Sequence, residues 1–100
     1  VTEPHATSFT IGPDHPALPG HFPGRPIVPG VVLLDHVATV ARAAFGLGPP
    51  LGLPRAKFAA PVLPGQRVDV VLTRPGAGRI AFACSVAGQP VAAGEWRFAP

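Results

Sequence analysis

The pattern of apolar and polar positions divides the chain into a strand, a loop, a helix and a run of strands. Residues 5–11, HATSFTI, alternate apolar positions with β-forming residues and predict a strand. Residues 12–29 hold Pro13, Pro16, Pro19, Gly20, Pro23, Gly24, Pro26 and Pro29, a density that permits only loop. Residues 31–45, VVLLDHVATVARAAF, predict a helix, with Pro29-Gly30 at its start and Gly46 just past its end. This segment is apolar around most of its circumference, so it is expected to be buried. Its polar exceptions are Asp35, His36, Thr39 and Arg42, and positions 35, 39 and 42 fall on one stripe. Beyond Pro49-Pro50 come four strand-like runs, 53–60, 66–74, 78–87 and 90–98, separated by the turn sequences LPGQ, RPGAG and AGQP. Their regular spacing predicts an antiparallel meander. The order predicts an α+β fold in which one antiparallel sheet curls around one long central helix, since such a helix needs apolar cover on nearly all sides.

Composition fits this picture. A chain of 100 residues is expected to form one domain, 1–100, and its 47% hydrophobic and 13% charged residues exclude a disordered segment. A core of that size is thin, which favours a dimer that hides more apolar area. The formal charge of +3 comes from eight basic residues scattered along the chain, with no basic run and no interleaved aromatics, so no nucleic-acid partner is expected. A mildly basic surface suits an acidic partner, although solubility alone accounts for the charge. Cys84 is the only cysteine and cannot form an internal disulfide, which fits a reducing, cytoplasmic setting. The longest apolar runs are about five residues against the ~20 a bilayer span needs, so no membrane association is expected. No signal peptide is visible in a chain that starts at Val1.

The chemistry concentrates in GHFPGRPIVPGVVLLDHV, residues 20–37. His21 sits in a loop that prolines hold nearly rigid, and placement is what a general base requires. Asp35 follows fourteen positions later, in the second turn of an otherwise apolar helix. A carboxyl in apolar surroundings favours its neutral form, which makes it a candidate general acid. Gly30 heads the helix, where a bare backbone admits an acyl carbonyl and N–H groups favour developing negative charge. Each residue also has a plainer reading: His21 as a surface residue, Asp35 as a complement to the helix dipole, Gly30 as an entry turn. His5, His15, His21 and His36 are too irregularly spaced for a metal site. Cys84 lies within an apolar strand pattern that reads as core packing.

This segment closely resembles the active-site stretch of the 3-hydroxyacyl-acyl-carrier-protein dehydratases of fatty acid synthesis, the FabA and FabZ type. Gly20, His21, Phe22, Pro23, Pro26, Pro29, Gly30 and Asp35 match the family pattern, and AKFAAPVLPGQRVDV at 56–70 matches a second. The resemblance runs from about residue 8 to the C-terminus. It implies the hotdog fold, and at least a homodimer in which His21 of one subunit works with Asp35 of the other. It implies loss of water from a 3-hydroxyacyl thioester to give the trans-2-enoyl thioester. His21 would take the α-proton, and the N–H groups of Gly30 and Val31 would bind the thioester carbonyl. Asp35 would protonate the departing hydroxyl, with Phe22 and Thr39 beside the substrate. No metal or redox cofactor is implied. The partner would be an acidic acyl carrier protein bearing the substrate on its phosphopantetheine arm.

The sequence departs from the pattern at three points. The acid is Asp, as in the FabA branch, in an otherwise FabZ-like setting. Thr39 stands where the family commonly has a Gln that orients the acid. The helix and strand that usually open FabZ are absent from these 100 residues, a shorter build similar to accessory dehydratases of specialised, aryl-polyene or polyketide-like pathways. Two other functions suit the same fold: a hotdog thioesterase, and a carrier-binding protein that has lost turnover.

Overall fold

The computed structural model describes residues 4–12 and 27–99. In chain order the elements are β1 (His5–Thr10), α1 (Gly30–Phe45), β2 (Pro50–Phe58), β3 (Arg67–Gly76), β4 (Arg79–Val86) and β5 (Gln89–Phe98). The strands form one five-stranded sheet in the order β1-β3-β4-β5-β2, and each neighbouring pair is antiparallel. Among the described residues this is the predicted α+β arrangement of one sheet and one helix.

Alternation fixes which face of the sheet meets the helix. Val68, Val70 and Leu72 of β3 are buried, as are Ile80, Phe82 and Cys84 of β4, while Val71 and Ala83 between them are exposed. A one-residue slip in either strand would expose the whole buried set. The helix supplies Leu33, Val37, Ala38 and Ala41 to the same core. Each fully buried Val or Leu contributes about 1.5–3 kcal/mol relative to exposure.

The turns follow their residues. Leu63-Pro64-Gly65-Gln66 is a β-turn with Gly65 at φ +86° and the Gln66 N–H donating to Leu63 O at 3.2 Å. Proline and then glycine at the two central positions is what a type II turn requires. Gly46, at φ +64°, ends the helix, and its N–H and that of Leu47 both donate to Arg42 O.

Three expectations change. The four later strands do not form one meander: β3, β4 and β5 follow one another, but β2 crosses over and pairs with β5, not with β3, its neighbour in sequence. Strand β2 begins at Pro50, three residues before the predicted 53, because a sheet edge tolerates Pro50 and Pro54. The helix is not covered on nearly all sides. Val31, Asp35, Thr39, Arg42 and Ala43 are exposed in the single chain, and Val31 keeps 73% of its surface. An apolar circumference measures how much surface a helix could bury. The sheet of one chain covers only one side of it.

Candidate active site

The N-terminal turn of α1 forms one wall of an apolar pocket of about 600 Å³. Val28, Pro29, Gly30 and Leu33 stand on one side of it, and the segment from Phe58 to Val62 on the other. The sides are tied together where the Val28 N–H donates to Val62 O at 2.8 Å. The Phe58 ring lies against Gly30, with its Cζ 2.8 Å from the place where a β-carbon would stand. Glycine is therefore what lets ring and helix backbone approach this closely.

The helix start is chemically open. Pro29 has no side chain that could cap it, and the first turn holds no acidic residue. The N–H groups of Val32 and Leu33 donate to Pro29 O at 3.0 and 3.2 Å. Those of Gly30 and Val31 precede them and have no acceptor within the helix. Two donors at the positive end of a helix dipole, beside an apolar pocket, suit an oxygen that gains negative charge during reaction.

Asp35 does not line this pocket. It lies with Thr39 on the exposed stripe of α1, not in the apolar surroundings expected for it. The Thr39 hydroxyl donates to the backbone oxygen of Asp35 at 3.0 Å, a bond back to the preceding turn that leaves the carboxyl to other partners. Thr39 thus does not hold the carboxyl as the family's glutamine was expected to. His21 and Phe22 lie outside the described residues. His36 stacks on Phe9 at 5.0 Å and His5 meets the edge of Phe45 at 6.1 Å, so both imidazoles pack β1 against α1. Burial pushes the Cys84 thiol up to about 11, which agrees with a core role for that side chain. Phe58 was the pocket residue not singled out from the sequence. Its signal lay in the Lys-Phe pair of the second family match.

The family model described as "ApeI-like: ApeI dehydratase" matches residues 2–95. The chain belongs to the ApeI-like dehydratase family. It is 32% identical over 98 aligned residues to the 3-hydroxyacyl-[acyl-carrier-protein] dehydratase FabZ of Thermus thermophilus, an alignment that takes in 85% of this chain and 69% of that one. Among solved structures, a chain of the dehydratase heterocomplex ApeI:P from Xenorhabdus doucetiae superposes with a TM-score of 0.81 at 22% identity, covering 97% of this chain and 88% of that chain. The 1,4-dihydroxy-2-naphthoyl-CoA thioesterase Slr0204 from Synechocystis shares the fold at a TM-score of 0.65 and 18% identity, over 97% of this chain and 81% of that chain. The chain is a hotdog dehydratase of the FabZ type. Among the described residues no helix is long and apolar enough to cross a membrane.

Proposed function

We propose that the protein removes water from 3-hydroxyacyl groups carried on an acyl carrier protein, giving the trans-2-enoyl thioester. The thioester carbonyl accepts hydrogen bonds from the N–H groups of Gly30 and Val31, which makes the α-proton more acidic. His21 removes that proton. The β-hydroxyl leaves as water with a proton from Asp35, and the proton held by the His21 imidazolium then passes through water to the Asp35 carboxylate, which restores both groups. Phe22 flanks the acyl chain with Phe58.

The reading rests most on one observation. The chain presents an apolar pocket at the start of α1, and carries its acid on the exposed stripe of the same helix, away from that pocket. A carboxyl so placed fits a site completed by a second subunit, with Asp35 of one chain serving the pocket of the other. Val31, 73% exposed and next to Gly30, is the apolar surface such an interface would bury. The homodimer would enclose the site in dry surroundings, where the helix N–H groups act most strongly.

The decisive experiment supplies a 3-hydroxyacyl thioester and follows two products. Formation of the conjugated enoyl thioester, read by ultraviolet absorbance, is the expected result. Release of free thiol without enoyl product would make the protein a thioesterase. Tight carrier binding with neither product would make it a non-catalytic acyl-carrier partner. A role in an accessory, specialised pathway is supported by the match to the ApeI-like family model and is tested by offering polyunsaturated or aryl-primed acyl groups.

A further inference from the structure

Basic residues scattered in the sequence meet on the outer face of the sheet. Successive residues of a strand point to opposite faces, so Arg55 and Lys57 of β2 face outward while Phe58 turns in against Gly30. The register sets Arg55 beside Glu95 and Lys57 beside Ala93 on β5, and sets Arg79 of β4 beside Arg97. Arg79 donates to both carboxylate oxygens of Glu95 at 3.0 Å. Glu95 is thus committed to one guanidinium, while Arg55, Lys57 and Arg97 remain exposed around it. Outside this cluster the sequence holds four cations (Arg25, Arg42, Arg67, Arg74) and four acids (Glu3, Asp14, Asp35, Asp69), which cancel. The whole formal charge of +3 therefore belongs to this one face.

The face also has relief. A groove of about 300 Å³ runs beside the cations, with Arg55 and Lys57 at its edge and Val71, Ala83 and Ala93 among its lining. Small apolar residues in a basic rim suit a protein surface that is acidic outside and apolar at its centre. Among the described residues the aromatic side chain that lines the groove, Phe82, is buried and offers no exposed ring on which bases could stack, which disfavours single-stranded nucleic acid. The groove reaches the pocket quickly along the chain. Lys57 and Phe58 are consecutive, and residues 59–61 after them line the pocket.

We propose that this outer face is where the acidic carrier protein docks, its prosthetic arm passing the end of β2 at residues 59–61 to enter the pocket. The proposal rests on the dehydratase reading for the identity of its partner. Docking is electrostatic, so it falls with ionic strength, and it is separate from the chemistry at Gly30 and Asp35.

The test compares wild type with the triple variant Arg55→Ala, Lys57→Ala, Arg97→Ala on two substrates bearing the same 3-hydroxyacyl group, one on a bacterial acyl carrier protein and one as its N-acetylcysteamine thioester. The variant is expected to raise KM for the carrier-borne substrate by about tenfold or more and to lose most of its salt dependence, with turnover of the small thioester unchanged. An unchanged KM for the carrier substrate overturns the proposal, and so does an equal loss on both substrates. Fluorescence anisotropy with labelled apo carrier gives a readout free of catalysis. If wild type forms no enoyl product but binds the carrier, and the variant does not, the docking face stands and the dehydratase reading falls. If wild type binds no carrier at low salt, or binds a duplex oligonucleotide as tightly with the same loss in the variant, the docking proposal is overturned.

Discussion

The ring of Phe58 rests on the backbone of Gly30, closer than any β-carbon at position 30 could allow. The contact joins the start of the helix to the end of β2 and sets the width of the pocket between them. Gly30→Ala should push the ring aside and crowd the N–H groups proposed to bind the thioester. The expected result is a fall in turnover of about tenfold or more, ~1.4 kcal/mol of transition-state stabilisation, with cooperative melting preserved. Adding Phe58→Ala should restore part of the activity by returning space. Steady-state enoyl formation by the two variants checks both halves.

The composite site predicts complementation. His21→Ala and Asp35→Ala homodimers should each lose about 10²–10⁴-fold in rate. Mixed in equal amounts and allowed to exchange, half the dimers become heterodimers with one intact site each, so about a quarter of wild-type activity should return. Proven heterodimers without activity would place base and acid within one chain.

Thr39 makes a narrower prediction. Its hydroxyl is bonded to the backbone oxygen of Asp35, not to the carboxyl. Thr39→Val keeps the shape and removes only that bond, so turnover should change by no more than about threefold, under ~0.7 kcal/mol. A tenfold loss would show that the hydroxyl reaches the reacting groups during turnover.

Stability should depend on pH through Glu95. The bidentate hydrogen bond from Arg79 holds its carboxyl below the ordinary range, against the opposing effect of burial, and the charges of Arg79, Arg55 and Arg97 add to the lowering. A lowered folded-state value means the stabilisation is complete above the ordinary carboxylate range and is lost as pH falls through the lowered one. Glu95→Gln should therefore melt below wild type at neutral pH, and the gap should narrow on acidification. Thermal melts of both proteins across the acid range measure it.

The β4–β5 turn offers a stabilising change. Ala87 and Gly88 both have positive φ, +49° and +82°, as a two-residue type I′ hairpin demands. A left-handed residue other than Gly or Asn costs roughly 1–2 kcal/mol. Ala87→Asn should recover up to about 1 kcal/mol of this, raising the melting temperature by several degrees for a domain of this size.

The sequence made the inner sheet legible because period-two alternation at 68, 70, 72 and at 80, 82, 84 has only one burial solution. Gly46 and Pro29-Gly30 marked the helix to within a residue of Gly30–Phe45. Gly30 was legible as the head of the helix because a Pro-Gly pair ahead of an apolar run marks such a start, and the structure sets it in the wall of the pocket. The exposed stripe through Val31, Asp35 and Thr39 was not, since apolarity does not say which neighbour covers a face. Nor was the union of Arg55, Lys57, Arg79 and Arg97. It depends on the β2–β5–β4 register, and residues as far apart as 55 and 97 meet only after the sheet has formed.

Among the described residues strand β2 is also an edge strand of the sheet, and its two halves differ. From Pro50 to Arg55 the register against β5 shifts twice, and Pro50 and Pro54 lack an N–H. From Arg55 to Phe58 the pairing is regular. On this side of the sheet, only a four-residue length can accept another strand. That is room for one short partner and too little for a stacked ribbon, so the same irregularity that hid the start of β2 in the sequence guards the protein against growing into fibres.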